Sequence, residues 1–284
     1  MEQIERYKEV FEKARNIVEW SKSLIKPGVK ILEVAESIEK KILEVGAKPA
    51  FPVNIGINDV AAHYTPTIDD EIIIRENDLV KVDIGLHIDG YIADFAYSFS
   101  TNKEDLKMIE VAKSAVKEAG KIIKEGTKIR EISEVIENFV SKSEYKIVRN
   151  LTGHFLDRYV VHGISIPNIR NDINIELKKG QALAIEVFVT NGDGWVKESN
   201  FSEIFQYNKD VGLRNMDAKK ILDMSKKDFE KLPFAKRWIK NFSTQRIELA
   251  IKELLEKGAL ISYPILKEIS NSKVAQWEES FIVD

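Results

Sequence analysis

The sharpest pattern of hydrophobic and polar positions runs from Leu79 to Phe99, L-V-K-V-D-I-G-L-H-I-D-G-Y-I-A-D-F-A-Y-S-F. Apolar and polar residues alternate there with the period of two that marks strands. An Asp-Gly pair between two such runs predicts a two-residue type I′ turn, because both central positions need positive φ. A hairpin turning at Asp89-Gly90 sets Ile88 opposite Tyr91 and Gly85 opposite Asp94. Asp83 lies on the same face two residues before Gly85, and Val80, Val82 and Ile84 form an apolar row on the other. Asp83 and Asp94 are then diagonal neighbours about 7–8 Å apart at the backbone. Gly85 between them, with no side chain, is expected to leave the space in which their carboxylates converge. Two acids aimed at one gap repel unless a proton or a cation sits between them.

Elsewhere the period is that of a helix. Spacing predicts helices over 4–24, 31–45, 103–125 and 129–141, with Pro27-Gly28 and Gly46 ending the first two. Residues 25–39 match residues 123–137 at nine of fifteen positions, Gly28 and Gly126 among them, which indicates a duplicated unit. Similar offsets lay His63 over His162 and V-K-V-D around Asp83 over L-A-I-E around Glu186. The chain therefore reads as two related α/β halves, each delivering an acid from a strand and a histidine from the segment before it.

The second half is interrupted. Its outgoing strand is A-L-A-I-E-V-F-V-T, and the partner strand, V-A-Q-W-E-E-S-F-I-V, comes only at 274–283. Between them, 205–262 reads as an inserted helical subdomain. Asp217 is the expected cap of a helix carrying Ile221, Leu222 and Met224, and Thr244 opens another that Gly258 closes. Within it, L-P-F-A-K-R-W reads as a small core with a solvated rim rather than as a nucleic-acid contact.

With 284 residues, 44% of them hydrophobic, the chain can bury the core of one large domain spanning 1–284. A net charge of −3 gives no general attraction to nucleic acid or anionic membrane. The absence of cysteine excludes disulfides, thiolate zinc sites and cysteine nucleophiles. The opening residues read as an amphipathic helix rather than a signal peptide, and no apolar run reaches membrane length. A cytoplasmic protein is expected.

Candidate chemistry gathers on the acids. Asp83 and Asp94 share a hairpin face, and Glu186 sits at the centre of an apolar strand. Glu278 shares a face with Gln276 and Ser280, while Glu279 alternates with Trp277 and Phe281. His154, in N-L-T-G-H, is a candidate nitrogen ligand. Four carboxylates and an imidazole suit two divalent cations about 3.5–4 Å apart better than one. The histidine favours cobalt, manganese, iron or zinc over magnesium.

Together A-A-H-Y-T-P, V-D-I-G-x-x-I-D-G-Y-I-A-D, L-T-G-H-x(7)-H-G, A-I-E-V and V-A-Q-W-E resemble methionine aminopeptidase over nearly the whole chain, and the insertion of about sixty residues resembles type 2 of that family. The resemblance implies an α/β (α+β) fold of the pseudo-twofold pita-bread kind, a curved antiparallel sheet covered by helices. It implies two metal ions held by Asp83, Asp94, His154, Glu186 and Glu278, with a bridging hydroxide as nucleophile and Glu186 shuttling its proton. It places His63 near the scissile amide, His162 at the substrate carbonyl, and Phe51, Val161 and Tyr263 around the methionine side chain. The implied substrates are nascent polypeptide N-termini beginning with Met and followed by a small residue. The implied protein is a monomer with the ribosome as a candidate partner. Prolidase-like enzymes and the non-catalytic proliferation-associated homologues are the alternatives within the fold. One position departs from the family run A-Q-F-E-H-T: Glu279 stands where histidine is usual, which sets an extra acid next to Glu278 in the chain.

Overall fold

The computed structural model describes residues 2–284. Four helices form where the 3.6-residue period predicts them. In α1 (Glu2–Ser21) the buried residues Tyr7, Val10, Phe11, Ala14, Ile17 and Val18 recur every three or four positions. The same spacing organises α2 (Ile31–Glu44), α3 (Lys103–Gly120) and α4 (Ile129–Val140). Helix α3 is shorter than its pattern. After Gly120 the amides of Lys121 and Ile122 bond to the carbonyls three residues back, which tightens the chain into a turn.

Five strands carry the centre of the molecule: β1 (Val80–Ile88), β2 (Tyr91–Phe99), β3 (Thr152–Leu156), β4 (Ala182–Thr190) and β5 (Val274–Ile282). They pair antiparallel in the order β1-β2-β5-β4-β3 within a nine-stranded sheet, with short strands at both edges and Asn54–Ile57 also paired to β1. The β1–β2 turn has φ of 50° at Asp89 and 85° at Gly90, and its register sets Ile88 opposite Tyr91 and Gly85 opposite Asp94.

The strand order reads alike from either end about the β2–β5 seam, and the duplication extends to single hydrogen bonds. Gly28 N–H reaches Ile74 O at 2.8 Å, and Gly126 N–H reaches Leu177 O at 2.9 Å. Ile31 N–H bonds to Ile72 O and Ile129 N–H to Ile175 O, both at 3.0 Å. Gly28 and Gly126 are both at positive φ, 90° and 85°, which explains the glycine shared by the two helix-pair segments. This is the pseudo-twofold pita-bread arrangement.

All four helices cover one face of the sheet. Val80, Val82, Ile84 and Leu86 pack under α1 and α2, and Leu183, Ile185, Val187 and Val189 under α3 and α4. Each fully buried aliphatic side chain contributes about 1.5–3 kcal/mol, so this face stabilises the sheet. Asp83 and Glu186, one position out of phase, are thereby directed to the opposite face.

That opposite face is walled by residues that follow β4. Helices α5 (Met216–Lys227) and α6 (Thr244–Glu256) surround their own apolar cluster together with a three-stranded sheet of Ile204–Tyr207, Phe234–Ala235 and Leu260–Tyr263. The segment is thus mixed helix and sheet. The cap of α5 is Asn215, whose side chain accepts the amides of Asp217 and Ala218; Asp217 lies in the first turn and accepts two hydrogen bonds from Arg246 instead. Among the described residues no helix is long and apolar enough to cross a membrane.

Candidate metal centre

The five acidic and imidazole side chains singled out in the sequence converge from both sides of the seam onto one face of the sheet. Glu186 on β4 pairs directly with Glu278 on β5, and Glu278 pairs across the seam with Ala96 on β2. Asp83, on β1, is the other partner of Ala96. Alternation along each strand then aims Asp83, Asp94, Glu186 and Glu278 to the same face.

Two ligand groups result. Asp94, His154 and Glu278 each offer a ligand atom with all three within 4.8 Å of one another, and so do Asp83, Glu186 and Glu278. Glu278 belongs to both. His154 Nε2 lies 3.6 Å from Asp94 Oδ2 and 3.9 Å from Glu278 Oε1. Its Nδ1 donates to the Phe155 carbonyl at 3.4 Å, which leaves Nε2 with its lone pair toward the acids. The residues of the duplicated halves are not chemically equivalent here. The strand position corresponding to Asp94 is occupied in β5 by Gln276, whose Nε2 donates to Glu186 Oε1 at 2.8 Å.

The residues fit a cation. Asp83 Oδ1, Asp94 Oδ1 and Glu278 Oε1 are buried without any hydrogen-bond partner, and positive charge is what satisfies such oxygens. All four acids line the cavity above them. The protein packed around Asp83 pushes its carboxyl up to about 7. Burial also raises Asp94, Glu186 and Glu278, with mutual repulsion among the four acids adding to it. Burial lowers His154 to about 4, so its imidazole is neutral and able to ligate. Carboxylate and imidazole donors without thiolate match first-row divalent ions.

Above the acids lies a cavity of about 440 Å³. His63 and His162 line it with Tyr263 between them, ring centroids 5.4 and 5.7 Å away. His63 Nδ1 donates to the Pro264 carbonyl at 3.2 Å, and burial lowers its pKa. His162 meets solvent at the mouth of the cavity, yet the protein around it, and then His154 and His63, push its pKa well down.

Phe51 and Tyr263 are wall residues. Val161 is packed in the main core behind the wall and does not reach the cavity. The space over Gly85 is not where the carboxylates meet. The Phe51 ring fills it, so close that a Cβ on Gly85 would lie 2.1 Å from Cε1 of that ring, because Ala50 N–H bonds to Gly85 O and draws the segment across β1. Glu279 points to the helix side of the sheet, where it accepts from the Trp277 indole at 3.2 Å. It adds no charge to the centre.

Residues outside the recognised motifs complete the cavity. Ile204, Pro233 and Leu266 all come from the segment between β4 and β5. Asn54, opposite Asp83 on the neighbouring strand, lines the cavity with its carbonyl oxygen unpartnered. Asn54 reaches it from the short strand Asn54–Ile57 beside β1. The other three are brought in by tertiary structure.

Comparison with known proteins agrees with this geometry. The profile of metallopeptidase family M24 matches residues 5–264. The chain is 44% identical over 276 residues to a methionine aminopeptidase of Thermococcus onnurineus, a match spanning 96% of this chain and 94% of the relative. Among solved structures, that of a thermophilic Arx1 superposes with a TM-score of 0.86 at 17% identity, over 99% of this chain and 87% of the other. Methionine aminopeptidase from Rickettsia prowazekii gives 0.72 at 18% identity, over 99% and 93%. Structural likeness at such low identity is a likeness of fold.

Proposed function

The chain belongs to metallopeptidase family M24 and within it to the methionine aminopeptidases, and from that premise we propose that it removes an N-terminal methionine when the next residue is small, using two divalent ions held by Asp83, Asp94, His154, Glu186 and Glu278. The observation that carries this reading is the membership of Glu278 in two separate ligand triads, which supports a pair of ions sharing one carboxylate. Cobalt, manganese, iron and zinc are the candidate ions. Bound there, such ions supply Lewis acidity and lower the pKa of a coordinated water from about 15.7 toward about 7, so that a nucleophile exists at neutral pH.

A free α-amine is a further ligand for an ion held at this centre, one that an acylated N-terminus cannot offer, and this would account for exopeptidase action. The chain's own residues supply the rest. Glu186 is the proton shuttle in this reading. Gln276 occupies its Oε1, and Oε2 is left to take a proton and pass it on. His162, kept neutral by its lowered pKa, is an N–H donor to the oxyanion that develops on the methionyl carbonyl. His63 donates through Nδ1 to Pro264, so its Nε2 is an acceptor for the scissile N–H. Phe51, Tyr263 and Leu266 give the cavity the apolar wall that an unbranched thioether side chain fills.

The assay is hydrolysis of Met-Ala-Ser beside Ala-Pro and Phe-Ala-Ser peptides, after chelation and then with added cobalt or manganese. Metal-restored release of methionine from Met-Ala-Ser alone is expected. Preferential cleavage of the Xaa-Pro peptide would replace this reading with a prolidase-like one.

A further inference from the structure

Arg237, in the 3₁₀ turn Lys236–Trp238, is buried outside the cavity lining and takes no part in the chemistry proposed above. Its guanidinium is the hub of a closed ring of hydrogen bonds. NH2 donates to Glu39 Oε1 on α2. NH1 donates to Thr65 Oγ1 at 2.5 Å and to the Pro66 carbonyl at 3.1 Å. Thr65 in turn donates to the Val53 carbonyl at 2.9 Å, and the Val53 amide donates to the same Glu39 oxygen at 3.2 Å. Trp238 Nε1 closes on Glu39 Oε2 at 3.0 Å. Glu39, Thr65 and Arg237 are 9%, 1% and 4% exposed, so the bonds that join Arg237 to Glu39, Thr65 and Pro66 lie in the interior.

The ring holds the two ends of the segment that contains His63. Val53 is fixed through both its amide and its carbonyl, Thr65 through its hydroxyl, and Ile55 N–H bonds to Tyr64 O at 2.7 Å between them. His63 itself has φ of 63°, a left-handed conformation that costs a non-glycine residue about 1 kcal/mol and persists only where its neighbours enforce it. A second tether comes from the same side of the molecule, since the His63 imidazole donates to Pro264, just after the strand Leu260–Tyr263. Every long-range side-chain hydrogen bond to residues 63–66 therefore starts or ends in the segment between β4 and β5, apart from the one that Thr65 makes back to Val53.

We propose that Arg237 is a positioning residue for His63: the inserted segment grips Thr65 and Pro66 through this guanidinium, with Glu39 as its anchor, and so sets the strained backbone that aims the His63 imidazole into the cavity. The inference rests on the reading of His63 as the residue at the scissile amide. It gives the insertion a role in turnover in addition to its role as a wall.

The test uses the full chain loaded with manganese and the peptide Met-Ala-Ser. Arg237→Met is expected to lower kcat by about 10- to 100-fold, the cost typical of a reacting group displaced by about 1 Å, while KM and calorimetric manganese uptake change less than about twofold. Arg237→Lys, which keeps the charge beside Glu39 but cannot fork to Thr65 and Pro66, recovers part of the loss. The deciding readout is the double variant: in a His63→Ala background, Arg237→Met is expected to cause no further loss. Additive losses would show that Arg237 acts through overall structure and overturn the proposal. Unchanged kcat in Arg237→Met, with His63→Ala impaired, would overturn it as well. Wild-type kcat in His63→Ala would instead sink the reading of His63 on which it stands. If Arg237→Met does not fold, Thr65→Val removes the same grip with nearly the same shape and carries the same expectations.

Discussion

Ser280 and Asp94 clasp each other across the seam between the two halves: the serine hydroxyl donates to the Asp94 carbonyl and accepts the Asp94 amide, both at 2.8 Å. Ser98 makes the same pair of bonds with Gln276, at 2.9 and 2.8 Å. Ser98 and Ser280 stand at corresponding places in β2 and β5, so the seam is bridged by two symmetry-related hydroxyls, with Glu278–Ala96 the single direct register pair between them. Side chains replace ladder bonds at the place where Asp94 and Glu278 must turn their carboxyls toward the same point.

Ser280→Ala should therefore damage the centre without touching a ligand. It leaves the buried amide and carbonyl of Asp94 unpaired, at a cost of about 1–3 kcal/mol. Loosening Asp94 should also weaken metal uptake about 10- to 100-fold, the usual effect of removing a group that orients a ligand. Urea unfolding and calorimetric titration with manganese measure the two effects separately. Unaltered uptake in a destabilised variant would mean the clasp holds the sheet and not the ligand.

Sharing of Glu278 makes the ligands unequal. Glu278→Ala removes one member from both triads and is expected to abolish binding of both ions. His154→Ala leaves Asp83, Glu186 and Glu278 together and should retain one. Turnover should fall in both variants by more than the about 100-fold upper range for outer-shell changes. Two ions bound by Glu278→Ala, counted by titration, would refute the shared-carboxylate arrangement.

Much of this was legible in the sequence because it is local. The hairpin follows from the period of two and the Asp89-Gly90 turn, and the halves from a fifteen-residue match that the structure repeats bond for bond. The parity of β5 separates Glu278 from Glu279 correctly; adjacency in the chain suggested a charge beside the centre, and the pleat sends it to the other face. Spacing did not give the tertiary partners. Nothing in the run around Gly85 says that Phe51, more than thirty residues earlier, lies on it. Nothing around Arg237 points to Glu39 and Thr65, and the wall residues Ile204 and Pro233 sit in the insertion whose packing depends on contacts with the rest of the chain. Asp217 shows the same limit at short range, since Asn215 caps the helix and Arg246 takes up the aspartate.

The crowded acids fix the sign of the metal-free protein's pH dependence. Asp83 is raised to about 7 and Asp94, Glu186 and Glu278 are raised too, so the stability they contribute is present at low pH and lost as pH climbs through 7. His63, His87, His154 and His162 are all lowered from 6.5; below that value the unfolded chain takes up protons that the fold refuses, and stability falls with acid. The two effects oppose one another between about pH 4 and 6.5. Above that range only the loss from the acids continues, so chelated protein should be less stable at about pH 8 than at about pH 6. Added manganese should remove the alkaline decline, so that the gain in Tm on metal addition grows between about pH 6.5 and 8.5. Calorimetric scans with chelator and with metal test this, and a gain independent of pH would show that the acids do not titrate in the fold.

The Phe51 ring over Gly85 supplies the last prediction, which concerns the substrate side chain. Alanine at Gly85 would set a methyl group 2.1 Å from the ring, so Phe51 must swing away from β1, and the cavity is the open direction. Overpacking of this kind costs about 1–3 kcal/mol. Because the displaced ring occupies space meant for the methionine side chain, KM for Met-Ala-Ser should rise about tenfold or more, with kcat for bound peptide less affected. Phe51→Ala added to Gly85→Ala removes the clash. The double variant also loses the buried ring, at a cost of about 3–5 kcal/mol, and should discriminate poorly between methionine and smaller first residues. A Gly85→Ala protein with wild-type KM would show that the ring is not part of the side-chain pocket.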